Sequence, residues 1–328
     1  MTLDYGSGGK KTSRLIEELL LPALDNPALR ALGDGATVPG GGTLVLSTDS
    51  FVVSPRFFPG GDVGKLAVCG TVNDVCMCGG QPLYLTLGLI LEEGLPFAEL
   101  RQIIASLAAA ANEAGVCVVT GDTKVVERGR GDGIYLNTAG VGLLRHPGLG
   151  PDAIRPGDAL ILSGPAGDHG AAVMAARAGI AGEALVSDCA CVRGAVEALF
   201  DSGVSVRMLR DPTRGGVATT VCELSDQSGL SFALEEPAVP VREATRAACE
   251  MMGLDPLYCA CEGRFLAVVP ADEADAALHA LHGTAQGAQA AVIGHAAEET
   301  LPRVTLATPA GGRRILQKLS GAQLPRIC

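Results

Sequence analysis

Apolar residues follow two periods along the chain, and these periods predict its secondary structure. Apolar positions three or four residues apart predict amphipathic helices, and short runs rich in Val, Ile and Leu predict strands. Helices are predicted at residues 12–32 (interrupted by Pro), 64–80, 97–115, 168–179, 191–203, 214–228, 241–252 and 272–283. Strands are predicted at residues 43–53, 82–91, 116–127, 134–144, 159–164, 206–211, 230–234, 265–270, 289–296 and 303–308.

The order of these elements predicts two α+β domains. Each half mixes helices and strands without the regular alternation of a doubly wound sheet. The segment 145–158, "RHPGLGPDAIRPGD", is rich in Pro and Gly and predicts a boundary between the halves. The stretch from Gly312 onward has few apolar residues and predicts a tail. The predicted units are a Gly-rich segment and helix at 1–36, domains at 37–150 and 151–315, and a mobile tail at 316–328.

Composition and charge exclude several classes of protein. With 328 residues, of which 48% are hydrophobic and 19% charged, the chain is predicted to be well packed and long enough for two domains. A net charge of −11 argues against a nucleic-acid partner. The amino terminus lacks the apolar core of a signal peptide, and no apolar run reaches the length of a membrane span. A cytoplasmic location without membrane or nucleic-acid contact is therefore expected.

Eleven cysteines are spread through apolar segments, so we interpret most of them as buried free thiols in a reducing compartment. Their C-x-C spacing is shorter than that of typical zinc ligands, which makes a metal cluster the weaker hypothesis. The last residue, Cys328, is either an accident of composition or a thiol held on a tether. The C-x-C pairs are Cys76/Cys78, Cys189/Cys191 and Cys259/Cys261.

Two short motifs suggest functions that their context does not support. The segment "GSGGKKTS" resembles a phosphate-binding P-loop, but Asp4 stands five positions before Gly9 and no strand precedes it. The "RGD" at 130–132 is better interpreted as a charged hairpin than as an adhesion motif.

Four aspartates each stand at or near the end of an apolar segment: Asp49, Asp62, Asp74 and Asp122. A carboxylate in apolar surroundings costs several kcal/mol unless it is paired or binds a cation. One such residue is explained equally well as a helix N-cap. Four of them within about 75 residues are harder to explain in that way. Because Mg²⁺ prefers carboxylate, water and phosphate oxygens, the sequence suggests a magnesium site.

Basic residues near these aspartates suit phosphate groups. They are Lys10, Lys65 and Lys124. Together with the acids they support the hypothesis of a Mg-nucleotide site that does not use a P-loop.

Two later motifs suggest further site residues. In "RDPTRGG" Asp211 precedes a helix start with paired glycines, and in "CEGRF" Glu262 precedes a strand, a suitable place for a general base. Each residue also has a structural interpretation: Asp211 as a helix cap, and Glu262 as a surface turn residue. Lys124, which follows Asp122 and Thr123 in "TGDTKVVE", is either a phosphate ligand or a solvated strand-end lysine.

Taken together, these motifs resemble a known family. "YGSGGK", "STDSFVVSPRFFPGGDVGKLAVCGTVNDVCMCGG", "TGDTKVVERG", "GDHGAAV", "SDCA", "LRDPTRGGVATTVCELS", "CEGRF" and the final "PRIC" are similar in content and order to the HypE family of hydrogenase maturation factors. That family belongs to the PurM-like superfamily, with AIR synthetase and selenophosphate synthetase. The terminal "PRIC" is the most specific part, since relatives that make other products lack it.

The resemblance implies a fold and a reaction. The fold would be α+β and two-domain PurM-like (AIR synthase-like), with amino-terminal domains pairing in a homodimer and a flexible tail. The activity would be ATP- and Mg²⁺-dependent dehydration of an S-carbamoyl group on Cys328 to a thiocyanate. The carbamoyl group would come from the carbamoyltransferase HypF. The cyanide would pass to a HypC–HypD complex for the Fe(CN)₂CO centre of [NiFe]-hydrogenase.

The resemblance also assigns roles by position. Cys328, Lys124 and Glu262 would be catalytic. Asp49, Asp62, Asp74 and Asp122 would bind the metal. The nucleotide would contact Lys10, Lys65, Asn73, Gly121, Thr123 and Asp211. Cys76, Cys78 and Cys191, and "CACEGR" in place of "ANEGK", depart from the family pattern and leave open whether these thiols are silent.

Three alternatives use the same residues differently. A selenophosphate synthetase needs a Cys or selenocysteine in the amino-terminal Gly-rich loop, where this chain has Ser7-Gly8-Gly9. A thiamine-monophosphate kinase would share the fold and not need the terminal Cys. A non-enzymatic thiol carrier would relay a group without using ATP for chemistry.

Overall fold

A computed structural model describes residues 2, 14–30, 40–180, 182–299 and 302–319. The "GSGGKKTS" loop with Lys10 and the end of the chain with Cys328 lie outside the described residues. The described part contains two large sheets, one formed by each half of the chain.

The first half forms a four-stranded sheet in the order β1-β6-β4-β5. Strands β1, β6 and β4 are antiparallel neighbours, and β5 runs parallel to β4 at the edge. Before the sheet, a π-helical segment Ile16–Leu20 leads into α1 (Leu21–Leu24) and α2 (Pro27–Arg30). The other elements are β1 (Leu44–Phe51), β2 (Phe57–Phe58), β3 (Gly61–Asp62), α3 (Val63–Met77), β4 (Gly80–Glu92), α4 (Phe97–Ala114), β5 (Cys117–Val126) and β6 (Ile134–Leu144).

Helix α3 covers one face of this sheet, and α4 packs on α3. The helix is buried nearly all round, as expected for an element between the two halves. Thr138 on β6 fixes it by donating a hydrogen bond to the Ala67 carbonyl at 2.9 Å, and the hydroxyls of Thr138 and Thr71 lie 2.5 Å apart. The opposite face, here called the outer face, carries Leu44, Leu46, Asn137, Ile90 and Lys124 and is largely exposed.

The second half forms a seven-stranded sheet in the order β13-β12-β9-β11-β7-β10-β8. Its pairs are antiparallel except β9–β12. The strands are β7 (Ala159–Leu162), β8 (Met208–Arg210), β9 (Ser231–Glu235), β10 (Leu266–Val269), β11 (Ala291–Ala297), β12 (Val304–Ala307) and β13 (Arg313–Leu316). The helices are α5 (Asp168–Ala178), α6 (Arg193–Asp201), α7 (Gly216–Ser228), α8 (Glu243–Met252) and α9 (Ala274–His282).

One hydrophobic core joins the two halves. It includes Leu66 and Val72 of α3, Ile103 of α4, Leu199 of α6 and Phe265 before β10, all fully or almost fully buried. Each such side chain stabilises the fold by about 1.5–3 kcal/mol relative to exposure. The loops that follow α5 and precede β10 are therefore held against α3.

The α+β fold class is confirmed, and the predicted elements are present with shifted ends. The predicted helix 12–32 is interrupted at residues 25–26, where the Asn26 side chain donates to the Val118 carbonyl at 2.8 Å, and resumes as α2. Strand β13 lies in the stretch predicted as tail. Its residues are exposed except Leu316, so the sequence shows no apolar pattern that predicts a strand. The strand forms through its hydrogen bonds to β12.

Replacing Thr138 by Val should destabilise the fold. The change keeps the shape but leaves the Ala67 carbonyl and the Thr71 hydroxyl without their buried partner, which costs about 1–3 kcal/mol. Urea unfolding at neutral pH measures the effect. Thr43→Val, at an exposed position, is the control. Equal unfolding free energies for the two variants would contradict the role of this contact.

Candidate nucleotide and active site

Three of the predicted acids come together where α3 ends. Asp74 lies in its last turn and accepts a hydrogen bond from Ser47 Oγ of β1 at 2.6 Å. Burial raises the pKa of Asp211, directly after β8, to about 7, and the charge of Asp74 adds to this shift. Burial also raises the pKa of Asp49 on β1, again with a contribution from Asp74. The three carboxyl groups therefore share one electrostatic environment.

Glu262 belongs to the same environment. It is 3% exposed, and its Oε1 is buried with no hydrogen-bond partner among the described residues. Burial raises its pKa well above the ordinary value, followed by the charges of Asp211, Asp188 and Asp49. The alternative interpretation of Glu262 as a surface turn residue is wrong, because the side chain is enclosed between the halves.

The backbone around Glu262 is held by two residues that the sequence interpretation missed. Asp188 Oδ1 accepts a hydrogen bond from the Glu262 amide at 3.1 Å, and Asp188 faces Arg264 Nε at 3.8 Å. A Cβ on Gly263 would lie 1.9 Å from the Asp188 carbonyl oxygen, so only Gly fits there. The motifs "SDCA" and "CEGRF" contain these residues, but nothing in their spacing shows that they meet.

The Asn73 side chain links α3 by hydrogen bonds to the loops at residues 190–192 and 262. Its Oδ1 accepts from the Val192 amide at 2.9 Å, and its Nδ2 donates to the carbonyls of Ala190 at 3.0 Å and Glu262 at 3.4 Å. The side chain is 2% exposed. Its predicted contact with nucleotide stays a prediction, and the structure gives it a bridging place between the halves.

Asp62 lies at the other end of α3. Its Oδ1 accepts from the amides of Gly64 at 2.8 Å and Lys65 at 3.0 Å, which is the N-cap arrangement. Asp74 lies twelve positions further along the helix, a distance of about 18 Å. Within one chain, Asp62 therefore does not join the other acids around a single ion. Lys65 Nζ, also at this end, donates to the Gly60 carbonyl at 3.3 Å.

Asp122 and Lys124 form a separate group on β5. Their carboxylate and ammonium groups lie 2.8 Å apart, both largely exposed, and the hydrogen bond from Lys124 lowers the pKa of Asp122. Strands β1 and β5 are opposite edges of the sheet, so Asp49 and Asp122 are separated by three strand spacings, about 14 Å. The four predicted metal ligands thus do not converge within one chain.

An apolar cavity lies beside this second group. Its volume is about 190 Å³, and Gly121, Thr123 and Lys124 form part of its wall opposite Leu20 and Leu24. Gly121 is required for a close approach, because a Cβ there would lie 2.4 Å from the Leu87 carbonyl oxygen. The predicted residues Gly121 and Thr123 therefore border a cavity. Asp211 instead lies with Asp49, Asp74 and Glu262 near the end of α3, and these four residues are here called the acid group around Asp74.

The described residues lack two further features. No group of three or more His, Cys, Asp or Glu side chains in that part of the chain has the arrangement of a preformed metal site. None of the helices described there is long and apolar enough to cross a membrane.

The amino-acid sequence matches two family models. The model "AIR synthase related protein, N-terminal domain" matches residues 32–144, and "AIR synthase related protein, C-terminal domain" matches residues 155–307. The chain therefore belongs to the AIR synthase related proteins.

Similarity to individual proteins identifies the family within this class. "Carbamoyl dehydratase HypE" of Azotobacter vinelandii is 51% identical over 99% of this chain and 96% of its own length. A structure of "Hydrogenase Maturation Protein HypE in complex with ATP" is 47% identical with a TM-score of 0.97, covering 100% and 99% of the two chains. A "HypE-HypF complex" matches at 45% identity and a TM-score of 0.81 over 93% and 99%. The chain is a member of the HypE family, as the sequence resemblance predicted.

The raised pKa of Asp211 predicts how stability depends on pH. The folded chain keeps this proton up to about pH 7, whereas the unfolded chain loses it near 3.8. The contribution of Asp211 to stability is therefore fully present at low pH and is lost as the pH rises between these values. Asp211→Asn should remove this dependence, so wild type should lose on the order of 1–2 kcal/mol more than the variant between pH 5 and 7.5.

Urea unfolding in metal-free buffer at the two pH values measures this difference. Asp201→Asn, an exposed aspartate at the end of α6, is the control and should follow wild type. Parallel pH profiles for wild type and Asp211→Asn would show that the carboxyl group is not held in its protonated form.

Proposed function

We propose that this chain uses ATP to dehydrate an S-carbamoyl group on Cys328 to a thiocyanate, and so supplies cyanide for [NiFe]-hydrogenase maturation. The observation that carries the proposal is the nearly full-length likeness to the ATP complex of HypE, in a chain that ends in "PRIC". A kinase or selenophosphate synthetase of the same superfamily would not need this terminal thiol.

The chemical problem is a poor leaving group. Oxygen leaves an S-carboxamide with difficulty as hydroxide, but easily as phosphate. Transfer of the terminal phosphoryl group of ATP to the carbonyl oxygen, followed by loss of two protons from nitrogen, gives C≡N, ADP and phosphate. Such transfer depends mainly on positioning and on groups that stabilise the developing charge.

The acid group around Asp74 suits Mg²⁺. Burial raises the pKa values of Asp49 and Asp211 because it makes their ionised forms costly, and a bound cation would favour ionisation by neutralising that charge. Asp49, Asp74 and Asp211 would hold the ion, which would neutralise charge on the ATP phosphates. These oxygen donors are the ones that Mg²⁺ prefers.

Glu262 is the base in this proposal. A carboxylate whose pKa is raised by burial and by neighbouring acids is a stronger proton acceptor than an ordinary glutamate. Asp188, Gly263 and Asn73 fix its backbone, so the carboxyl group is held rather than free to turn outward. It would take the protons from the amide nitrogen of the carbamoyl group.

Lys124 would act from a second subunit. In one chain it lies on the outer face, with its ammonium on Asp122 and away from Asp74 and Glu262. The same face exposes apolar side chains: Leu44 is 51%, Leu46 68% and Ile90 44% exposed. Burial of this face against a second copy would form the homodimer and bring Lys124 and Asp122 to the partner's nucleotide site.

The tail carries the substrate. Tyr258 Oη donates to the Gln317 carbonyl at 2.9 Å, and Lys318 Nζ lies 2.5 Å from Asp226, so the chain is anchored up to this point. The predicted tail of 316–328 therefore begins with anchored residues. The remaining residues, 320–328, would span about 30 Å if extended. That length suits a thiol that visits the nucleotide site and partner proteins.

The partners follow from the same chemistry. A carbamoyltransferase of the HypF type would load Cys328, in keeping with the solved HypE–HypF complex of a relative. A HypC–HypD complex would accept the cyanide. We place these exchanges in the cytoplasm.

Mass spectrometry of the carboxy-terminal peptide tests the function. Carbamoylated protein incubated with ATP and Mg²⁺ should lose one water from the Cys328 peptide, with one ATP hydrolysed per thiocyanate. Cys328→Ser should form no thiocyanate and show no carbamoylation-dependent ATP hydrolysis. ATP hydrolysis that is equal with and without carbamoylation would instead favour a kinase-like protein or a carrier.

Glu262→Gln should lower single-turnover thiocyanate formation by about 100-fold or more, because the amide cannot take the protons. ATP affinity, measured by calorimetry, should change less than about threefold. Glu197→Gln, at an exposed position on α6, is the matched control. An unchanged turnover rate would assign the base to another residue.

The dimer is tested by replacing exposed apolar residues of the outer face. Leu46→Lys combined with Ile90→Glu should convert a dimer into a monomer in light scattering and reduce ATP-dependent turnover at least about tenfold. Met251→Lys, at an equally exposed apolar position on α8, should leave the dimer intact. A dimer that survives the double substitution would place the interface elsewhere.

A further inference from the structure

Two buried cysteines of the second half face each other outside the acid group. Cys249 lies in the last turn of α8, and Cys259 directly follows the 3₁₀ turn Pro256–Tyr258. Their Sγ atoms are 3.8 Å apart, and the residues are 0% and 1% exposed. A disulfide bond requires about 2.0 Å between the sulfurs, so small side-chain rotations and a shift of less than 2 Å would close it.

The pair lies outside the two larger hydrophobic cores. It belongs to a small separate cluster made largely of alanines: Ala171, Ala172, Ala175, Leu185 and Ala248. The outer side of α8 faces solvent, where Met251 is 74% exposed. Segments with few buried apolar contacts open locally without global unfolding, and such opening admits a small oxidant.

Cys259 also begins the segment that carries Glu262. A Cβ on Gly216 would lie 2.5 Å from the Cys259 carbonyl oxygen, and one on Gly170 3.0 Å from Cys259 Cβ. Two residues later, the Cys261 amide donates to the Pro212 carbonyl at 3.0 Å, next to Asp211. The Cys259 backbone is therefore closely packed, and it connects the cysteine pair to the segments that carry Glu262 and Asp211.

We propose that Cys249 and Cys259 form a reversible disulfide that slows turnover by displacing the Glu262 segment. The reactive partner is a small disulfide such as glutathione disulfide. The predicted effect on turnover rests on the proposed function of Glu262, whereas formation of the disulfide does not.

The chemistry is a two-step exchange that conserves electrons. The Cys249 thiolate attacks one sulfur of the small disulfide, forming a mixed disulfide and releasing one thiolate. The Cys259 thiolate then attacks Cys249 Sγ, closing the internal bond and releasing the second small thiolate. The two protein thiols lose two electrons and two protons, and the small disulfide becomes two thiols. The hydrogen bond between the thiols lowers the pKa of Cys249, which favours it as the first nucleophile.

The experiment uses the full chain with its Cys328 already carbamoylated, so that this thiol is capped. The protein is incubated with glutathione disulfide, desalted, and divided between peptide mapping and a single turnover with ATP and Mg²⁺. Cys249→Ser removes the pair. Cys222→Ser, at another buried thiol of the same half, is the matched control.

Wild type and Cys222→Ser should yield the crosslinked Cys249–Cys259 peptide, and their turnover rate should fall at least tenfold and recover with dithiothreitol. Cys249→Ser should yield no such crosslink and keep its rate. Absence of the crosslink in wild type would overturn the disulfide site. A crosslinked protein whose rate stays within twofold of the reduced protein would overturn its control of the site. Reduced wild type that forms no thiocyanate would contradict the proposed function alone, because the crosslink is scored separately.

Discussion

The hydrogen bonds of the Asn73 side chain are the contact on which the candidate site depends. This amide projects from α3 of the first half and binds the backbone at 190, 192 and 262 in the second half. The next residue along the helix, Asp74, contributes to the acid group. One turn of helix therefore sets the position of the Asp74 carboxylate and of the Glu262 backbone together. Because the Asn73 amide is buried, any relative movement of the halves would leave its polar atoms unsatisfied.

Burial of the acid group lowers the stability of the fold. Burial and neighbouring carboxylates raise the pKa values of Asp49, Asp211 and Glu262, so ionising these groups costs free energy. Hydrophobic residues at these positions would make a more stable protein, so the arrangement is explained by what it binds. In the proposed function, Mg²⁺ with ATP would relieve this cost, and the same surroundings would make Glu262 a better proton acceptor. The two effects have one cause, the exclusion of water from between the halves.

The outer face of the first sheet has the complementary property. Its exposed leucines and Ile90 are unfavourable in a monomer, and Asp122 and Lys124 stand beside them without a connection to the acid group of their own chain. A second copy on this face would resolve both features. The site proposed here is accordingly shared, with the metal and base from one subunit and Lys124 from the other.

The amino-acid sequence by itself determined the secondary structure, the α+β class and the family. Apolar periodicity is a local property, and each motif from "YGSGGK" to "PRIC" is a continuous stretch of sequence. Both can therefore be recognised without a structure. Strand β13 was not predicted, because it forms through hydrogen bonds to β12 and not through burial of an apolar face. Asp74, Asp211 and Glu262 were recognised as candidates but could not be grouped, since they are far apart in the chain.

Tertiary structure decided which candidates meet. Asp62 caps a helix about 18 Å from Asp74, and Asp122 lies on the opposite edge of the sheet from Asp49, although all four share the same sequence context. The sequence likewise gave no sign that Asp188 holds the Glu262 backbone or that Cys249 faces Cys259. The reason is physical: a side chain's burial, its partners and its pKa depend on elements that arrive from distant parts of the chain, and only the packing of the two halves brings them together.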